Sequence, residues 1–176
     1  MGILQEIMDF GSFWTVWFWI CHVATWSVLS HFALGVPFDM ILEVNREKSE
    51  DGPWARATEA LILAQVFRYT ALGRRYGVVL TGVTAFLVTV LLTFSVMEQM
   101  ELARALATIL LPMTVIYATS LQTAFRIERR GLRGADLRGA VRFQRLVNQL
   151  IGLLAIMAAV ALAIWEQVRL MQPWWF

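Results

Sequence analysis

Two histidines, His22 and His31, stand in "CHVATWSVLSHFALGVPFDM", a stretch with no charge before Asp39. Imidazole in apolar surroundings is a common ligand for haem iron or a metal, and it can hydrogen-bond a quinone. If the stretch is helical, nine residues at about 100° each turn the two rings to opposite faces, so one helix cannot aim both at one metal. The chain has no other histidine, so a haem held by two histidines would require a second copy of the chain. His22 is therefore expected to be a packing or hydrogen-bonding residue, with cofactor contact as the alternative because ionisable groups inside membranes carry function. His31 can reach the interface or bond Ser27 one turn earlier. The single cysteine, Cys21, excludes an intrachain disulfide and lacks the resolving thiol of a redox relay. No GxSxG elbow, HExxH, Walker loop or clustered carboxylate pair occurs, and "EKSED" (Glu47 to Asp51) reads as a solvated loop. These features point to a non-enzymatic protein with no metal and no required cofactor.

The elements that must hold these residues are apolar. The chain of 176 residues is 59% hydrophobic with eight tryptophans, well above a soluble domain, and its mean hydropathy is +0.61. Four windows reach the ~20 residues that cross a hydrocarbon layer: Phe13 to Leu34, Gly77 to Met97, Leu102 to Phe125 and Leu146 to Val168. The shorter run "ALILAQVF" belongs to a helix from about Trp54 to Arg75, lying at the surface or leading into the second span. The expected fold is all-α: one integral membrane domain, a four-helix bundle with a cytoplasmic or interfacial helix between spans 1 and 2. The first twelve residues carry Glu6 and Asp9 and no basic residue, so the first apolar segment is expected to be retained as a span.

Fourteen of the fifteen basic residues are arginine, and their placement sets direction. Pro37 to Tyr76 holds Arg46, Lys48, Arg56, Arg68, Arg74 and Arg75. The stretch "RIERRGLRGADLRGAVRFQR" holds seven more: Arg126, Arg129, Arg130, Arg133, Arg138, Arg142 and Arg145. The turn "EQME" and the N-terminus have none, and the tail has only Arg169, so both termini are expected outside, in the periplasm of a bacterial inner membrane. Phe13, Trp14, Trp17 and Trp165, with the tail "QPWWF", supply interfacial aromatics at that outer side, while Trp26 sits deeper as a packing residue.

Small residues recur every four positions at Gly77, Thr81, Ala85, Thr89 and Thr93, and again at Ala155, Ala159 and Ala163, marking expected helix-packing faces. Pro112 is expected to kink the third span. Arg104 has Glu101 on its own helix and Glu166 on the fourth span as partners, and Asn148 and Gln149 are expected to hydrogen-bond between helices. The seven arginines read as a loop that attracts anionic headgroups or a protein partner, at about 1 kcal/mol each near the surface. "GADLRGA" resembles one pentapeptide-repeat unit, but a solenoid needs several stacked turns. A basic inner loop with only Phe143 as an interleaved aromatic is a topology signal and does not suit nucleic acid.

The stretch "SHFALGVPFDMIL", with its tryptophan-rich lead and the arginine-rich connection between the last two spans, resembles short alphaproteobacterial four-span membrane proteins, some labelled "component of SufBCD complex". That resemblance implies an inner-membrane location and, by its label, iron–sulfur cluster assembly, for which one intramembrane cysteine supplies no cluster-binding set. Within this stretch Pro37 is expected to stop the first helix and Asp39 to cap the next segment. The leading functional expectation is an accessory or scaffold subunit packed against a larger membrane complex or a second copy of itself. The alternatives are the small membrane subunit of a transporter, disfavoured by outward termini, and a haem- or quinone-binding redox anchor using His22.

Overall fold

The computed structural model describes residues 16–47, 49, 51–97 and 101–171, apart from the side chains of residues 101, 166 and 169–171. These residues form five helices and one small hairpin: α1 (Val16–His31), β1 (Phe32–Ala33), β2 (Val36–Pro37), α2 (Phe38–Glu47), α3 (Pro53–Val96), α4 (Glu101–Arg130) and α5 (Gly134–Met171). Three of them, α3, α4 and α5, are long and apolar enough to cross a membrane. The 16 residues of α1 rise about 24 Å.

Three expected boundaries are corrected. The first helix ends at His31, three residues before Leu34, because the chain turns into the hairpin; its expected start at Phe13 lies outside the described residues. The helix expected over Trp54 to Arg75 does not end at Arg75: of the two alternatives it is the one that leads on, through Gly77 and the second apolar window, as one 44-residue helix, α3. A lone glycine costs a helix only about 1 kcal/mol, too little by itself to end the hydrogen-bond ladder. The stretch Arg126 to Arg145 is not a loop. Arginine is a good helix former, so α4 runs on to Arg130 and α5 starts at Gly134, leaving a turn of three residues.

Each end has a local cause. Gly52 accepts from Arg56 N–H and Pro53 opens α3, where a missing N–H is harmless. Gly131, at φ 60°, closes α4 in a Schellman turn: its own N–H bonds the Glu128 carbonyl at 3.2 Å, and Leu132 N–H bonds Ile127 at 3.2 Å. The carboxylate of Glu59 then accepts from Gly134 N–H at 3.2 Å and lies 3.9 Å from Arg133 Nε, placing negative charge at the positive end of α5. "GADLRGA" is thus the opening of α5, with Leu137 fully buried. Pro112 lies inside α4, which continues on both sides of it.

The hairpin has no counterpart among the expected elements. β1 pairs antiparallel with β2, and Leu34 (φ 55°) and Gly35 (φ 75°) form a two-residue turn with both φ values positive, the geometry that matches strand twist. Ala33, Leu34 and Val36 are buried and plug the main core with Ile41, Ile62, Val66, Ala124, Ile127, Leu137 and Val141. Pro37 therefore belongs to β2 and does not itself end the helix; Asp39 stands in the first turn of α2. The best-packed part of the molecule lies at the arginine-rich end, whereas the apolar window of α3 is entirely unburied.

Candidate functional site

Polar side chains converge where α1 ends against α4 and α5. Gln144, buried on α5, accepts from Thr123 Oγ1 at 2.7 Å and donates through Nε2 to Thr119 Oγ1 at 3.0 Å and Asn148 Oδ1 at 2.9 Å. Asn148 in turn donates to the carbonyls of Leu29 and Phe32, both at 3.4 Å. Arg145 Nε donates to Ser30 O at 3.0 Å while its guanidinium lies 3.5 Å from the centroid of the Phe38 ring. The last carbonyls of a helix have no partner within it. Here α5 supplies those donors, so the network closes α1 and fixes where the hairpin begins. The Gln144 and Asn148 amides are spent on partners within the protein, which makes the network a structural joint. Asn148 bridges helices as expected, but Gln149 is exposed, and Gln144 takes the central place. Gln144 stands one turn from Asn148 on the same face, a spacing visible in the sequence.

The seven arginines fall into two groups. Arg133 faces Glu59, Arg142 donates to Asn45, Arg145 serves the joint, and Arg138 is buried. Arg126, Arg129 and Arg130 project from the outer face of α4 with no ion pair or hydrogen bond to any other described residue. With Gln122 and Phe125 they line a recess of about 470 Å³. The nearby carboxylate of Glu128 is taken by Arg74 at 2.6 Å.

His22 is completely buried, and its ring packs among Phe18, Trp19 and Trp26 with centroids 5.2 to 6.0 Å away. Both imidazole nitrogens and Trp26 Nε1 lack a hydrogen-bond partner among the described residues. Trp26 packs with Ile116 and Ala155 and lies so close to Gly152 that a Cβ there would sit 3.0 Å from the indole ring. His31 is exposed 3.9 Å from Asp39, and it is Ser30 that bonds Ser27. No group of three or more His, Cys, Asp or Glu side chains that could hold a metal occurs among the described residues.

The small-residue faces separate as well. Ala155, Ala159 and Ala163 are buried. Thr81, Ala85, Thr89 and Thr93 are exposed, and a Cβ on Gly77 would meet nothing within 4 Å, so the expected packing face on α3 is corrected: it is open in a single copy of the chain. Thr89 and Thr93 turn their hydroxyls back to the carbonyls of Ala85 and Thr89. Arg104 bonds the Ser95 carbonyl at 3.1 Å, tying the start of α4 to the end of α3. The partners expected for it, Glu101 and Glu166, have side chains outside the described set. No family of proteins, curated protein or solved structure matches this chain.

Proposed function

We propose that this chain is a multi-pass inner-membrane protein with no catalytic site of its own, serving as an accessory or scaffold subunit. Its arginine-rich cap stands in the cytoplasm, its four spans include α1, and both termini are periplasmic. One observation carries the membrane placement. Charge-free runs of 20 or 21 residues follow Arg75 on α3, precede Arg126 on α4 and follow Arg145 on α5. Cross-contacts bring the three arginines to one layer. Gly73 abuts Leu121 and Phe125, Arg74 pairs with Glu128, Thr123 meets Gln144, and Arg145 reaches the end of α1. At 1.5 Å per residue each run rises about 30 Å, the thickness of the hydrocarbon layer. A scaffold role accords with a polar network spent on joining helices and with the unburied apolar window of α3, available to lipid or to a partner span.

The test has two arms. Carbonate washing should leave the protein in the membrane pellet, and a reporter fused after Phe176 should be active only when exported. Activity at the same position of a reporter that works only in the cytoplasm would overturn the orientation. A second reading, a haem- or quinone-bearing anchor, is favoured by the two nitrogens of His22, which have no hydrogen-bond partner among the described residues. A Soret band in the purified protein that disappears in His22→Ala would establish it in place of the scaffold reading.

A further inference from the structure

We propose that Arg126, Arg129 and Arg130, with Gln122 and Phe125, form a binding site for the phosphate headgroup of an anionic phospholipid of the cytoplasmic leaflet. The inference rests on the membrane placement proposed above and gives that surface a specific ligand.

The first ground is availability. Seven arginines crowd this end, but Arg133, Arg138, Arg142 and Arg145 are engaged or buried, so the uncommitted guanidinium groups are those on the outer face of α4. Positions 122, 125, 126, 129 and 130 match the i, i+3, i+4, i+7, i+8 pattern of one helical face, and the recess between their side chains is about 470 Å³. The second ground is charge. Glu128, the carboxylate nearest in sequence, faces α3, where it meets Arg74 and Thr70, so among the described residues no carboxylate lines the recess. Guanidinium forks match phosphate oxygens in pairs.

The third ground is depth, which selects a lipid over a soluble phosphate. The charge-free run of α4 from Ala105 to Phe125 rises about 31 Å and ends at Phe125. Arg126 comes next, and Arg129 and Arg130 stand within about 6 Å of it along the axis. That is the thickness of the headgroup layer, which adds about 5–7 Å to each side of the hydrocarbon. Phe125 then marks the acyl boundary and Gln122 adds an amide donor just inside it. A zwitterionic lipid would bring its own cation into a recess holding three positive charges, so a net-anionic headgroup is preferred.

The experiment uses the full-length protein purified in detergent and reads retained lipid by native mass spectrometry, titrating phosphatidylglycerol against phosphatidylcholine. The expected result is selective retention of phosphatidylglycerol that weakens at least about tenfold in R126Q/R129Q/R130Q, since each charge near the surface contributes about a factor of five. Thermal stability of the variant should match the parent, because none of the three contacts the core; should the triple variant fail to fold, Arg129→Glu is read by the same titration. Equal retention of the two lipids, or phosphatidylglycerol retention unchanged in the folded variant, would overturn the site. Displacement of the lipid by millimolar glycerol 3-phosphate would assign it to a soluble phosphate instead. Membrane integration is scored separately by carbonate washing, so loss of the parent from the pellet would fault the membrane placement, not the headgroup site.

Discussion

At the scale of the residue, Gln144 shows how one amide organises a junction. Its oxygen and nitrogen serve Thr123, Thr119 and Asn148 at once, with Gln144 itself only 1% exposed. Gln144→Leu keeps the volume but strands the Thr123 hydroxyl and one side of Asn148, and a buried polar group left unpaired costs about 1–3 kcal/mol. For a chain of this size that is a fall in Tm of about 3–10 °C, measurable by thermal unfolding in detergent, whereas Gln149→Ala, on the exposed side, should leave Tm unchanged. The sequence did announce a hydrogen-bonding position here, since amides inside apolar helices need partners. It did not say which of Gln144, Asn148 and Gln149 face inward, because that depends on the rotation of α5 against α4. Gly35 poses a similar contrast. Its φ of 75° is unfavourable for any side chain, and a Cβ would lie 3.3 Å from the Gln65 side chain, so Gly35→Ala should destabilise by about 1–2 kcal/mol.

At the scale of the element, the apolar runs were legible and the helix ends were not. A hydropathy window stops at the first charge, but a helical hydrogen-bond ladder does not. This is why α3 extends 24 residues ahead of Gly77, and why α4 and α5 carry most of the arginines that read as a loop. The hairpin is hidden for the opposite reason: two strands of two residues each are too short to show a period of two. Continuity of α3 is directly measurable. Spin labels at Arg68→Cys and Phe86→Cys, in a Cys21→Ser background, lie 18 residues apart on one exposed face and should be separated by about 27 Å between backbones. A right-angle break at Gly77 would bring that below about 20 Å. Packing faces are distinguished by the same substitution at two sites. Ala159→Leu inserts bulk where no side-chain surface is open and should cost about 1–3 kcal/mol. Ala85→Leu, on the exposed face of α3, should leave the unfolding temperature unaltered.

At the scale of the whole molecule, the membrane placement proposed above gives positive charge two purposes that the sequence presents as one. Orientation depends on the number of basic residues held on one side, and lysine counts as well as arginine for that purpose. Folding of the cap depends on what individual guanidinium groups do. Arg145 bonds Ser30 O through Nε while its plane lies over Phe38, and Arg142 reaches Asn45 across from α5 to α2. An ammonium group can supply a point charge but cannot present a planar stacking face and a directed N–H together. Exchanging Arg142 and Arg145 for lysine should therefore preserve the orientation reported by a C-terminal fusion while lowering Tm by several degrees. The same exchange at Arg126, Arg129 and Arg130, which make no hydrogen bond or ion pair to another described residue, should preserve both. An unchanged Tm in the Arg142 and Arg145 variant would mean that the cap is held by charge alone, and that the stacked and hydrogen-bonded geometry of Arg145 contributes nothing to it.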